Sequence, residues 1–393
     1  MKNKFTRKNR TQKLIYECPN AAQCMMFGIK TKQIQDVFRF DFNLVTSIKN
    51  IAEPSSNGFV HKLTFDKNYI MYATLKSNVA ARKDNLMYEY KVGQFLNQVG
   101  KNFPCFIETY KLFKYKSEED WFICSKIKSS NDTSILKALQ PLSYDLKKGC
   151  KYAKYIALLT QFIPNSISLY DFCENKPDYS ELLGILFQIY YSLYHLRHYF
   201  THYDLHAGNI LLYKIHPTQS IKFNYTVNGK IVSFCCSYLV KIIDYGRCYI
   251  PDSKQIYNDV CHLSECNPKC GAKKGFNTFD LINDKIFYHI VSQKKNESFD
   301  LKCLKYCSDV CNDYPKTHLI QRKLANLTIL YSKHGTAERL DSIQPFKITN
   351  EIRNLTDAYQ VIQELIPYSN VCSSNWGVMN VYGNKPITFI KIN

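Results

Sequence analysis

Strand patterns crowded into the first 165 residues, and helical patterns after them, predict an α+β protein of two lobes. Two further observations support this. Phe59-Val60-His61-Lys62-Leu63-Thr64-Phe65 alternates apolar and polar with period two, whereas the segment opened by Ser180-Glu181 repeats Leu182, Leu183, Leu186, Ile189, Tyr190, Leu193 and Leu196 at helical spacing. A boundary is expected near Pro164, giving a basic tail over 1–37, a β-rich lobe over 38–163 and a mainly helical lobe over 164–393.

In chain order, a strand over the Phe59–Phe65 run is followed, after the turn cluster Asp66-Lys67-Asn68, by a second strand over Tyr69–Leu75. Asp84–Val99 carries Leu86, Met87, Tyr90, Phe95, Leu96 and Val99 at helical spacing, with Gly100 just beyond. Phe106–Phe113 and Trp121–Ile127 read as strands, and Tyr155–Phe162 as a buried strand ended by Pro164-Asn165. After the long helix, strands at Ile210–Tyr213 and Tyr238–Ile243 flank a polar insertion, residues 214–237, which reads as a surface excursion. Beyond residue 275 the pattern is mostly helical until a final strand pair, Gly377–Tyr382 and Ile387–Ile392.

The chain has 393 residues, 45% hydrophobic and 22% charged, which excludes a mostly disordered chain, a collagen-like repeat and a small disulfide scaffold. No apolar run approaches the ~18–20 residues of a membrane span. Met1–Lys13 holds six Lys/Arg, no acid and no following apolar core, so it does not read as a secretory signal, and an intracellular, cytoplasmic protein is expected. The sixteen cysteines are accordingly expected as thiols. Cys261, Cys266 and Cys270 approach zinc-ligand spacing without matching it, so free thiols are the first reading there and a structural zinc the second. The formal net charge of +19 favours acidic partners, but no aromatic–basic stacking motif is legible and nucleic acid is not indicated beyond the charge itself.

The chemistry sits in His202-Tyr203-Asp204-Leu205-His206-Ala207-Gly208-Asn209 and in Ile242-Ile243-Asp244-Tyr245-Gly246. Phosphoryl transfer needs a carboxylate that orients and deprotonates a hydroxyl, and oxygen ligands for Mg²⁺, a hard cation. An Asp and an Asn on one loop, then an Asp at the end of an apolar strand, supply them. Gly246 is expected to permit the turn that aims Asp244.

These motifs resemble those of the protein-kinase superfamily, H-R-D-L-x-x-x-N and D-F-G. The resemblance implies a two-lobed fold with a nucleotide-binding β-rich lobe over 38–163, and an ATP- and Mg²⁺-dependent transfer of the γ-phosphoryl group to a Ser or Thr hydroxyl on a protein. It makes Asp204 the base, His202 the loop-bracing residue, and Asn209 and Asp244 the metal ligands. Ala73-Thr74-Leu75-Lys76 stands where the family's phosphate-contacting lysine ends its strand, so Lys76 contacts the phosphates and Glu89, thirteen residues on, is its partner. Gly58 and Val60 fall where the phosphate-covering turn lies, with sixteen residues from Val60 to Lys76. Gln161 and Phe162 open the stretch whose backbone meets the adenine edge.

Three departures shape the implied substrate. Tyr203 replaces the Arg of H-R-D, so regulation by loop phosphorylation is not implied. His206 replaces the usual Lys two residues after the base. An insertion separates Asn209 from Asp244, and no A-P-E follows. A small-molecule kinase acting on a sugar or amino-alcohol, and a non-catalytic scaffold of the same fold, stay open as alternatives. Asp300, in Asn296–Leu301, either braces the catalytic loop or caps a helix. The combination looks most like the kinase-like proteins of large nucleocytoplasmic DNA viruses, which implies host cytoplasm or virion.

Overall fold

Alternation in the first part of the chain builds three consecutive antiparallel strands, β1 (Val45–Asn50), β2 (Gly58–Asp66) and β3 (Ile70–Asn78). The computed structural model describes residues 42–51, 58–66, 70–78, 86–142, 155–214, 216, 218–252, 277–282, 285–291, 295–315, 317–331, 351–369 and 375–391. The basic tail over 1–37, most of the turn before Gly58, and Cys261, Cys266 and Cys270 lie outside them. The chain is mixed α+β with several sheets and divides into two compact units; the described residues of the first fall within 42–98 and 107–164, and those of the second within 99–106 and from 165 onward.

In unit 1, β2 sends Phe59, His61, Leu63 and Phe65 into the core and Val60, Lys62 and Thr64 to the opposite face. β4 (Thr109–Tyr115) begins three residues later than expected. The fully buried β7 (Ile156–Gln161) pairs antiparallel with both β3 and β4, and the short β5 (Ser129–Ser130) and β6 (Leu139–Pro141) complete a sheet ordered β5-β1-β2-β3-β7-β4-β6.

The expected strand over Trp121–Ile127 is instead a helix, α2 (Glu118–Lys126), named after α1 (Leu86–Val99) in chain order. Ser117 caps it through the Asp120 N–H, and Glu118, Glu119 and Asp120 occupy its first turn, where the helix dipole favours negative charge. These local signals outweigh the β-propensity of Trp121, Phe122 and Ile123, two of which are left exposed (Phe122 53%, Ile123 47%).

α1 approaches β4 unusually closely. A Cβ on Gly93 would fall 2.0 Å from Thr109 Oγ1. Beside this contact Asn97 donates to the Thr109 carbonyl (2.6 Å) and accepts from the Thr109 N–H (3.0 Å), pairing with it as a neighbouring strand would.

In unit 2 the core is α4 (Tyr179–Leu196), preceded by the short α3 (Leu169–Glu174) and capped by Asp178, which accepts from Ser180 and Glu181 N–H. It is buried on nearly every face, as expected of a helix packed on all sides. Three polar residues on it grip strands. Glu181 accepts from the backbone and hydroxyl of Ser237 (2.7–3.1 Å), Gln188 bonds Tyr238 O and Val240 N, and Tyr191 donates to Thr226 O. The strands gripped are β10 (Ser220–Val227) and β12 (Tyr238–Ile242) with the junction before it; β12 pairs with β9 (Ile210–Lys214), which pairs with β8 (Ser166–Ser168).

The 214–237 insertion is therefore not a surface excursion. It is a hairpin of β10 and β11 (Lys230–Cys236), closed by Asn228-Gly229 with φ of +48° and +77°, the positive-φ pair that a two-residue turn requires. Phe223, Tyr225 and Phe234 stack on one another and pack through Tyr225 and Phe234 onto Phe187 of α4, because alternation points them all to one face. The C-terminal part is equally integral. β17 (Asn375–Val381) pairs parallel with β10, β18 (Thr388–Lys391) pairs with β17, and α7 (Leu355–Leu365) packs on α4. Across the outer face Ser233, Asn224, Asn380 and Thr388 form one hydrogen-bonded chain through all four strands.

Unit 2 is less helical than expected. Besides α5 (Lys302–Asp313) and α6 (Leu319–Ala325) it holds a hairpin of β13 (Asn277–Ile282) and β14 (Lys285–Val291), and a small parallel pair, β15 (Thr328–Ile329) and β16 (Glu351–Ile352). Among the described residues eight buried cysteines are free thiols, including Cys303, Cys307 and Cys311 of α5, but Cys235 is disulfide-bonded, contrary to the expectation of thiols throughout. Among the described residues no helix is long and apolar enough to cross a membrane.

Gly93→Ala should destabilise the protein by roughly 3 kcal/mol, since the neighbour it meets is the root of a side chain rather than a flexible tip. Urea unfolding checks this, and an unchanged midpoint would refute the close approach.

Candidate functional site

The loop 202–209 leaves α4 through Phe200 and enters β9, and its shape is set by backbone bonds to a buried acid. Asp300 is fully buried and accepts from His202 N–H (2.7 Å) and Tyr203 N–H (3.0 Å) on separate oxygens. Of the two readings of Asp300, loop bracing is the one the structure bears out. Tyr203 has φ of +62°, costly for an aromatic residue, and the paired N–H bonds hold it there. Its ring, in place of a basic side chain, is buried edge-on against Phe299, with Tyr249 alongside. Burial pushes the Asp300 carboxyl up to about 7, against the lowering effect of its two N–H donors.

His202 is buried and held below its ordinary range by desolvation. Its Nδ1 accepts from Asp204 N–H (3.3 Å), which fixes the proton on Nε2, the atom that donates to Ile243 O (3.0 Å). The neutral ring thus bridges the loop to the residue before Asp244. Asn209 closes the loop by donating Nδ2 to Asp204 O (3.0 Å), and its own carbonyl accepts from Ile243 N–H (3.0 Å). Because Ile210 stands opposite Ile242 in the β9–β12 ladder, Asn209 and Asp244 emerge at the same end of it.

The left-handed turn expected from Gly246 is taken by Asp244 itself, with φ of +65°. Asp is among the few non-glycine residues that tolerate this region. Gly246 lies in the next turn, closed by Cys248 N–H to Tyr245 O (3.3 Å). A reciprocal backbone pair between Thr201 and Tyr249 then fastens that turn beside the loop (2.7 and 3.3 Å). It carries Arg247, whose Nε lies 3.7 Å from Asp204 Oδ2. No motif pointed to Arg247. His206 uses Nδ1 to accept from Gly208 N–H, capping the short turn before Asn209.

In unit 1, Lys76 and Glu89 form an ion pair at 2.8 Å, with Glu89 buried and Lys76 partly so. The thirteen-residue spacing suffices because Glu89 lies in the first turn of α1. Val60 stands directly opposite Lys76, and Gly58 opens β2 with φ of +152°, a conformation glycine adopts readily. The Gln161 N–H donates to Glu108 O (2.8 Å), and its side-chain oxygen accepts from Glu108 N–H (3.2 Å). Phe162 packs edge-on against Tyr72, with the Lys62 ammonium above both rings.

Asp244 and Asn209 offer a carboxylate and an amide oxygen, the donor types a hard divalent cation takes. Among the described residues no group of three or more His, Cys, Asp or Glu is placed to hold a metal ion. A two-donor set fits Mg²⁺, which keeps waters and takes substrate phosphates. No protein-family model matches the chain, and no curated protein matches it.

A raised folded-state pKa means that the native Asp300 keeps a proton which the unfolded chain releases between 3.8 and about 7. Its stabilising contribution is therefore complete below that window and lost as pH rises through it. Asp300→Asn should remove this part of the pH dependence. Thermal melts of both proteins from pH 4 to 8 check it, and parallel curves would refute the assignment.

Proposed function

We propose that the chain is an ATP- and Mg²⁺-dependent phosphotransferase of kinase-like, two-lobed fold that phosphorylates serine or threonine hydroxyls on a protein. The observation that carries the reading is the Lys76–Glu89 ion pair. A strand-borne lysine paired with a buried helical carboxylate is a preorganised phosphate anchor, and the opposing Val60 gives it an apolar neighbour. The open end of the β9–β12 ladder supports it with the complementary chemistry. Asp204 orients the acceptor hydroxyl and takes its proton. His202 and Asp300 hold that carboxylate's backbone in place, which is positioning rather than proton transfer, since the buried ring is neutral. Asn209 and Asp244 would hold Mg²⁺, which when bound neutralises phosphate charge.

A hydroxylated small molecule is the second acceptor to test. His206 favours it, because its Nδ1 caps the loop rather than presenting a fixed cation.

Transfer from labelled Mg-ATP to the chain itself, to generic acidic and basic proteins and to a small-alcohol panel tests the proposal. Asp204→Asn, Asp244→Asn and Lys76→Met should each lower transfer by about 100-fold or more while leaving circular dichroism unchanged. Near-normal turnover in Asp244→Asn would refute the metal assignment. Label only on a small alcohol would move the substrate class, and no transfer with no nucleotide binding would leave a non-catalytic scaffold.

A further inference from the structure

Arg247 has no role in the set described above, yet it is the residue most deliberately placed beside the proposed base. Three observations bear on it. It sits on the Tyr245–Cys248 turn, whose position is fixed by the reciprocal Thr201–Tyr249 backbone pair immediately before the catalytic loop. Its Nε lies 3.7 Å from Asp204 Oδ2. That separation is an ion pair rather than the 2.7–2.9 Å bidentate fork a guanidinium forms with a well-matched oxyanion. Both side chains are partly open to solvent, 27% for Arg247 and 19% for Asp204, so an incoming group can reach them.

We propose that Arg247 is a catalytic residue, the cation that meets the phosphoryl group as it is transferred, and that its pairing with Asp204 is a resting contact exchanged for that anion. The inference rests on the phosphotransferase reading. In the step, the acceptor O–H bond breaks and its proton passes to the Asp204 carboxylate. The acceptor oxygen forms a new bond to the γ-phosphorus of a nucleoside triphosphate, and the bond from that phosphorus to the bridging oxygen breaks, with its electron pair leaving on the nucleoside diphosphate. Negative charge spreads over the three non-bridging oxygens as this happens, and a guanidinium already beside the base stabilises it after only a local exchange of partner. The planar fork matches those oxygens, which can accept two parallel N–H bonds from it. A turn clasped at Thr201 and Tyr249 gives the reach and direction that a surface side chain on a long flexible loop would lack.

The test uses the full chain, Mg-ATP and whichever acceptor the wild type labels. Arg247→Gln should lower kcat by about 100-fold with KM for ATP within about threefold of wild type. Arg247→Lys should recover about tenfold of that loss, and millimolar guanidinium should partly rescue Arg247→Gly. A merely structural ion pair would move neither the kcat-against-KM split nor the guanidinium response, and would lower the melting temperature instead. Wild-type kcat in Arg247→Gln, or a loss that follows thermal stability with no rescue, overturns the role of Arg247 and leaves the phosphotransferase reading intact. A wild type that transfers no phosphate to any acceptor overturns both.

Discussion

Two consecutive backbone N–H groups, those of His202 and Tyr203, are held by the separate oxygens of one buried carboxylate, and most of what makes the site orderly follows from that clasp. It fixes a bulky residue in left-handed backbone geometry, which reverses the chain and brings the Asp204 N–H back onto His202 Nδ1. The histidine tautomer is then no longer free to vary, and the other nitrogen reaches Ile243. One acid contributed by the segment before α5 thus organises both the loop that carries Asp204 and the strand end that carries Asp244. Two of the six positive-φ non-glycine residues described, Tyr203 and Asp244, belong to this small region, and at the aromatic Tyr203 the conformation is strained.

The surroundings explain why such strain can be held. α4 is apolar enough to be buried on nearly all sides, yet Glu181, Gln188 and Tyr191 each spend a side chain on strand backbone. Buried polar groups are tolerable only when satisfied, and here satisfaction is what registers β10 and β12 against the helix. The inserted hairpin adds an aromatic wall to that helix, so the chain between Asn209 and Asp244 is part of the core that supports the ladder and not a detour from it.

How much of this was legible can be judged from particular residues. The α1 helix, the β2–β3 pair and the long helix follow from periodicity, and the Lys76–Glu89 pairing follows from a motif-based alignment of residue types. Two elements were legible and missed. Asn228-Gly229 between the alternating runs Ile221/Phe223/Tyr225/Val227 and Ile231–Cys236 is a strong hairpin signal, and Ser117 before three acids is a helix start. Other features were not legible, for physical reasons. The left-handed turn at Asp244 rather than Gly246 depends on tertiary bonds. Whether Asp300 caps or braces depends on which backbone N–H groups the fold brings within reach. Arg247 belongs to no spacing pattern, since its neighbour lies 43 positions earlier and the two meet beside the Thr201–Tyr249 backbone pair.

The parallel pairing of β17 with β10 joins segments about 150 residues apart, with the Asn224–Asn380 bond across it. A ribosome will therefore have released the hairpin long before its sheet partner exists. During that interval Phe223, Tyr225 and Phe234 have α4 to pack against, but the inner edge of β10 lacks the strand that covers it. Closing so long a loop is slow relative to local helix and hairpin formation, and an uncovered strand edge beside aromatic surface is the kind of intermediate that associates with other chains. Yield of folded protein is thus coupled to completion of the C-terminal strands, and nascent chains halted before them present a ready template for aggregation or for a chaperone.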